Sequence, residues 1–359
     1  MTDSSRGEHL KQRKVVDHLP VYVQGKSVAN AVKLSSNENP YPPLESVLNV
    51  TRERLESFQL YPDMGAVAVR ERIAQHFGVR TEEVAVGAGS VEVAQQLIHA
   101  SAGEGDEVVF AWRSFEAYPI LVQIAGATPV MVPLDADERH DLDAMAAAIT
   151  ERTRLIFVCN PNNPTGATVS GEELERFMQR VPNDVLVVVD EAYVHFNNDP
   201  ASANGLDFFR RYDNVAVLHT FSKAYGLAGL RIGYAIAPER VATNLRRVAV
   251  PFGVTDLAQH AAIASLDAEA ELQVRVDTIV AERARALEAL RARGWKAIDS
   301  FANFVWMRTG ERTPEIDAAL REQGVVGRAY GSEGLRVTIG TPEMNDRFLE
   351  AIADIEPVR

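Results

Sequence analysis

Between residues 83 and 237 the chain repeats a single pattern of hydropathy, in which a short apolar run is followed by a polar turn and then by an amphipathic stretch. The runs fall at 84–86, 108–110, 130–132, 155–159, 185–189, 215–218 and 232–236. Most are β-branched and too short to be buried helices. Runs without alternation belong to strands covered on both faces. Helical periods at 91–100, 115–125, 142–149 and 171–180 supply the cover. The pattern predicts a doubly wound α/β domain with seven strands.

After Pro238 the pattern changes to helices, with a long Glu/Ala/Arg-rich stretch at 271–293, and then to strand-like segments at 304–308, 325–328 and 335–339. That predicts a second, smaller α+β domain. The length of 359 residues agrees, because a single hydrophobic core stops growing below this size. With no low-complexity linker between them, the two are expected to share a cleft.

Composition narrows the function. Against 50 Asp+Glu there are 37 Lys+Arg, a net charge of −13, with no basic block, which argues against a nucleic-acid partner. Residues 1–14 are polar, and no run of about eighteen apolar residues occurs, so neither export nor a membrane is expected. One cysteine, Cys159, allows no internal disulfide and no thiolate metal cluster, and fits a reducing cytoplasm. No metal site is expected.

In a doubly wound sheet, ligands lie beyond the carboxyl ends of the strands. Four loops there carry unusual chemistry. Gly87-Ala88-Gly89-Ser90-Val91-Glu92 opens into a helix and suits a phosphate, or else is an ordinary turn with Ser90 as N-cap. It is not the dinucleotide fingerprint, since Glu92 replaces the third glycine. The loop Asn160 to Gly166 can hydrogen-bond a planar ligand, or be only a cluster of turns. Asp190 ends a buried run, where a carboxylate needs a cation or several donors, unless it caps a following helix. Lys223 alone reads as a surface lysine. Its neighbours Thr220, Ser222 and Arg231 supply hydroxyls and a guanidinium, and a desolvated lysine near an arginine is a better nucleophile toward a carbonyl.

Together these loops answer the needs of pyridoxal 5′-phosphate: a lysine for the aldehyde, a carboxylate for the pyridine nitrogen, and amide, hydroxyl and arginine donors for the phosphate. The chain also resembles the fold-type I aminotransferases, and within them the histidinol-phosphate aminotransferase subfamily, from about residue 19 to 351. The match is carried by Ser36-Asn37-Glu38-Asn39-Pro40, Tyr61-Pro62-Asp63, Asn160 to Gly166, Asp190-Glu191-Ala192-Tyr193, Ser222-Lys223 with Arg231, Ala302-Asn303-Phe304 and Leu335-Arg336-Val337.

The resemblance implies a fold of a mixed, mostly parallel seven-stranded sheet between helices plus a small α+β domain. Its implied divisions are an N-terminal arm at 1–33, a large cofactor domain at 34–249 and a small domain at 250–359. Lys223 would bind the cofactor covalently and then move the proton. Asp190 would face the ring nitrogen, Tyr193 and Asn163 the 3′-oxygen, and Phe115 would stack on the ring. Gly89, Ser90, Val91, Ser222 and Arg231 would surround the phosphate, with Tyr61 donated by the second subunit of a homodimer, and Thr220 would also contact the cofactor. Arg336 would take the substrate anion, with Arg328, Tyr22 and Asn39 nearby.

The segment Trp112-Arg113-Ser114-Phe115-Glu116-Ala117-Tyr118 has phenylalanine where the histidinol-phosphate enzymes usually carry tyrosine, and Val91 departs from their phosphate turn. Both features look more like the aromatic amino acid (phenylalanine) branch. Phenylalanine and tyrosine are the expected substrates, in a pocket lined by Tyr22, Phe115, Tyr118 and Phe252, and histidinol phosphate is the alternative. A nicotinamide oxidoreductase lacks its glycine fingerprint, and hydrolase readings lack the G-x-S-x-G and H-E-x-x-H motifs.

Overall fold

The structure is a computed structural model that describes residues 10–21 and 31–358. Tyr22, expected near the substrate, lies outside them. The strands, in chain order, are β1 (Val32–Lys33), β2 (Val84–Gly87), β3 (Glu107–Trp112), β4 (Thr128–Pro133), β5 (Thr153–Cys159), β6 (Leu186–Asp190), β7 (Val215–Thr220), β8 (Gly233–Ile236), β9 (Phe304–Met307), β10 (Val325–Val326), β11 (Arg328–Tyr330) and β12 (Gly334–Thr338).

The large sheet has the order β2-β8-β7-β6-β5-β3-β4 and is parallel except for β8, which runs antiparallel to both β2 and β7. All seven apolar runs of the sequence are strands of this sheet. β5 and β6 sit in its middle, and Val187, Val188 and Val189 are fully buried. Each such side chain gains about 1.5–3 kcal/mol from burial. A carboxylate at the same depth costs several kcal/mol before it is paired. Asp190 is therefore the expensive residue of its strand.

Helices cover the sheet, among them Ser90–Ser101, Ala117–Ala125 and Gly171–Met178. Ser90 is not the N-cap. Gly89 is the N-cap, at φ 84°, and Ser90 is already the first residue of the helix. Nor does Asp190 cap a helix; its Oδ1 accepts from the Ala192 amide at 3.1 Å.

The strand-like segment 325–328 divides at Gly327. β10 pairs in parallel with β1, while β11 joins the antiparallel sheet β11-β12-β9. A lone run thus serves two sheets, because partners far apart in sequence compete for it. The long helix Glu269–Ala292 follows the helix Asp256–Asp267, and the latter packs on Glu45–Glu53 and Val67–Phe77. A division placed at residue 250 therefore falls before a helix that stays with the N-terminal half.

Candidate active site

Sheet geometry gathers the site. The parallel strands all end on one edge, and because β8 is antiparallel it begins there, with Gly233 in register with both Gly87 and Thr220. A cleft of about 530 Å³ opens at this edge. It is lined by Ser90, Val91, Phe115, Asn163, Asp190, Tyr193, Thr220, Ser222, Lys223 and Arg231 from the large sheet, and by Arg328, Tyr330 and Arg336 from the small one.

Lys223 reaches the cleft from the loop after β7. Its Nζ donates to the Ser36 carbonyl at 3.3 Å and lies 5.7 Å from the centre of the Tyr193 ring. Burial, with the positive charge of Arg336, lowers its pKa to about 7; Glu38 opposes this and Arg231 adds to it. Such an amine is largely neutral above pH 7, the form that attacks a carbonyl.

Asp190 stands at the end of β6 with Tyr118 donating to its Oδ2 at 2.5 Å. Burial raises its pKa, and the Tyr118 and Ala192 hydrogen bonds and His219 lower it. Tyr118 is fully buried behind the carboxylate, stacked on Phe157 at 4.5 Å. It therefore does not line a substrate pocket as expected from the sequence; Phe115, whose ring it meets edge-on at 5.5 Å, lines the cleft instead. Phe252 also lies elsewhere, on the surface against Tyr61 with ring centres 4.6 Å apart. Neither Tyr61 nor Phe252 lines the cleft of its own chain.

The anion cradle is built by close approach. A Cβ on Gly233 would lie 2.4 Å from the Ser90 nitrogen, and one on Gly89 2.2 Å from Arg231 Nη2. Only glycines let the β2 turn, β8 and the guanidinium meet. Arg231 also donates to Ser222 Oγ at 3.3 Å. Three donor types thus converge with a helix N-terminus, which fits a phosphate.

On the opposite wall Arg336 is buried. Its Nη2 donates to the Ser35 carbonyl at 2.8 Å, its Nη1 donates to Asn163 Oδ1, and its Nε has no partner among the described residues. The buried Ser35 hydroxyl is also unpartnered among them. Arg328 is in register with Arg336 and pairs with Glu116 at 3.0 Å. Both guanidiniums lie against the Tyr330 ring, at 5.9 and 5.6 Å.

Of the Asn160 to Gly166 loop only Asn163 faces the cleft. Asn160 and Asn162 hold the loop itself, through Ala203, Val169, Ser114 and Thr165. Asn39 does not line the cleft either; its amide donates to the Ala224 carbonyl at 2.7 Å, supporting the backbone beside Lys223. The sequence reading assigned no role to Asn37, whose amide donates to the Tyr193 hydroxyl at 2.9 Å, nor to Glu116 or Tyr330. Strand alternation carried the signal for Tyr330, two residues after Arg328 and hence on the same face.

The chain matches the family "Aminotransferase class I and II" over residues 29–352. It is 57% identical over 343 residues to the aromatic amino acid aminotransferase of Cutibacterium acnes, covering 95% of this chain and 97% of that one. The enzyme of the same name from Streptomyces coelicolor is also 57% identical, over 95% and 96%. Among solved structures, histidinol-phosphate aminotransferase from Sinorhizobium meliloti, in complex with pyridoxal-5′-phosphate, aligns with a TM-score of 0.86 at 25% identity over 96% and 97%. The chain belongs to the class I and II aminotransferases.

Proposed function

We propose that the protein is a pyridoxal-phosphate-dependent aminotransferase that passes amino groups between aromatic L-amino acids, phenylalanine and tyrosine, and 2-oxo acids. The observation that carries this is a lysine whose pKa is lowered to about 7, lining one cleft with a buried carboxylate, Asp190, and a buried arginine, Arg336. The names of the relatives favour aromatic substrates over histidinol phosphate.

In this reading Gly89, Ser90, Val91, Thr220, Ser222 and Arg231 hold the phosphate, Phe115 covers one face of the ring, and Asp190 meets the pyridine nitrogen. Pyridoxal phosphate supplies an electron sink for the pair left when a proton leaves the substrate Cα. Asp190 keeps that sink effective by staying ionised, which Tyr118 supports. The Tyr193 phenol, held protonated by burial, is available to donate toward the 3′-oxygen, and Asn163 stands beside it. Lys223 Nζ would take the substrate Cα proton and deliver it to C4′, the aldehyde carbon of the cofactor. Arg336 binds the carboxylate and fixes the amino acid so that the bond to be broken faces Lys223.

The reading includes a homodimer that brings Tyr61 to the partner's phosphate cradle. Leu55, Phe58, Leu60, Tyr61 and Met64 are all more than half exposed, an apolar surface that suits burial by a second copy. It also includes the division into an arm, a large and a small domain, and a cytoplasmic location, which fits the buried free thiol of Cys159. No described helix is long and apolar enough to cross a membrane.

A half-reaction panel tests the proposal. Phenylalanine, tyrosine, glutamate and histidinol phosphate are mixed separately with the holoenzyme, and conversion of the cofactor to its amine form is followed by absorbance. Fast conversion by the two aromatic amino acids is expected; conversion by histidinol phosphate alone would overturn the substrate assignment.

A further inference from the structure

The cleft holds more arginine than an aromatic amino acid requires. In the reading above Arg231 meets the phosphate and Arg336 the substrate carboxylate, and Arg336 is held by two neutral oxygens, so its charge is kept for a ligand anion. Arg328 remains. It lies directly across the β11/β12 ladder from Arg336, and such cross-strand neighbours have Cβ atoms about 4.5–5.5 Å apart. Two guanidiniums at that spacing, both against Tyr330, make a double-cation site. An amino acid with a second acidic group on its side chain can bridge it.

Glu116 removes that possibility. Its carboxylate, on the residue that caps the helix Ala117–Ala125, meets Arg328 Nη2 at 3.0 Å and lines the same cleft. Glu116 is not shared with the other arginine of its segment, because Arg113 has its own acid, Glu333, at 2.7 Å. The two pairs cross between the segment after β3 and the β11/β12 hairpin with opposite polarity, Arg113 to Glu333 and Glu116 to Arg328. Among the described residues each of these two arginines thus faces an acid across the gap.

We propose that Glu116 is the specificity-determining residue for side-chain charge: paired with Arg328, it cancels that cation, so neutral aromatic side chains are accepted and dicarboxylic or phosphomonoester amines are disfavoured. A substrate bearing a second anion must displace the Glu116 carboxylate or be repelled by it, and selectivity rises from that penalty as much as from contact with the favoured ring. The inference rests on the reading of the cleft as an amino-acid site facing Arg336.

The test compares kcat/KM for glutamate and for phenylalanine in holoenzyme of wild type, Glu116→Gln, Arg328→Gln and the double variant. Glu116→Gln keeps the shape and removes the charge, and is expected to raise the glutamate-to-phenylalanine ratio about 10-fold. The double variant is expected to lose that gain, since no cation is left to uncover. A ratio unchanged in Glu116→Gln, or raised equally in the double variant, overturns the inference. Should Glu116→Gln fail to hold cofactor, Glu116→Asp draws the carboxylate back from Arg328 and is expected to shift the ratio in the same direction by less; a ratio identical to wild type then overturns it. Wild type that turns over phenylalanine while the variants leave the ratio flat overturns this inference alone. Wild type that converts no aromatic amino acid overturns the underlying reading as well.

Discussion

At Lys223 an amine is held where its charged form is disfavoured, and the balance has a measurable sign. Burial and the arginines lower its pKa to about 7, and Glu38 pulls it back. In apoprotein, capture of the cofactor aldehyde is therefore expected to accelerate as pH rises through about 7. Glu38→Gln removes the opposing charge and moves that midpoint to lower pH, as read from capture rates across a pH series. Lys223→Ala is expected to lower transamination by about 10²–10⁴-fold or more, the range of a positioned acid/base, in single-turnover assays. Tyr118→Phe addresses the carboxylate. Loss of the 2.5 Å donor leaves burial less opposed, so the pKa of Asp190 rises further and its ionised form is lost from the acid side. A drop of about 10-fold in kcat/KM is expected, larger at pH 5.5 than at pH 8, from one hydrogen bond to a charged group. A flat ratio across pH would show that Tyr118 only fills space. Asp190 could be singled out in the sequence because it directly follows an apolar run, and Lys223 because Thr220, Ser222 and Arg231 surround it in the loop beyond the next run. The place of Tyr118 could not be read, because it is in the helix Ala117–Ala125 while Phe115 precedes that helix, and spacing alone does not say which ring meets the cleft.

Among the elements, the seven strands of the large sheet could be read from hydropathy alone, since all but the largely exposed edge strand β4 are mostly buried and even β4 keeps an apolar run. What escaped was pairing across long sequence separations. β1 and β10 are two residues each and meet only because the chain returns to Val325–Val326. Polarity also escaped, as an apolar run does not reveal its direction, and β8 is antiparallel. That reversal has a consequence at Gly233. A side chain there would meet the Ser90 nitrogen and the Gly89 carbonyl carbon, at 2.4 and 2.8 Å, and both are backbone atoms. Gly233→Ala is expected to cost about 1–3 kcal/mol in stability, the usual range for overpacking. It is also expected to weaken cofactor retention, because the displaced atoms form the anion cradle. Thermal melts with and without cofactor separate the two effects: a Tm lowered equally in both leaves the cradle intact.

The whole molecule has a net charge of −13, yet its cleft is lined by Lys223, Arg231, Arg328 and Arg336 against Glu38, Glu116 and Asp190. Global charge predicts partners at the surface and says nothing of a site assembled from strand ends. The same separation of scales applies to assembly. Tyr61 is 81% exposed and rests on Phe252 outside its own cleft, so a role for it in catalysis requires a second chain. In a symmetric dimer each site then combines Lys223 of one subunit with Tyr61 of the other. That arrangement makes a prediction no single chain can meet. Lys223→Ala and Tyr61→Ala chains, each impaired alone, are mixed under conditions that exchange subunits. Half of the dimers become hybrids, and in each hybrid one site carries both substitutions while the other carries neither. Activity is expected to recover to about a quarter of the wild-type sites. If Tyr61 acted within its own chain, every site in the mixture would keep one defect, and no recovery would be seen.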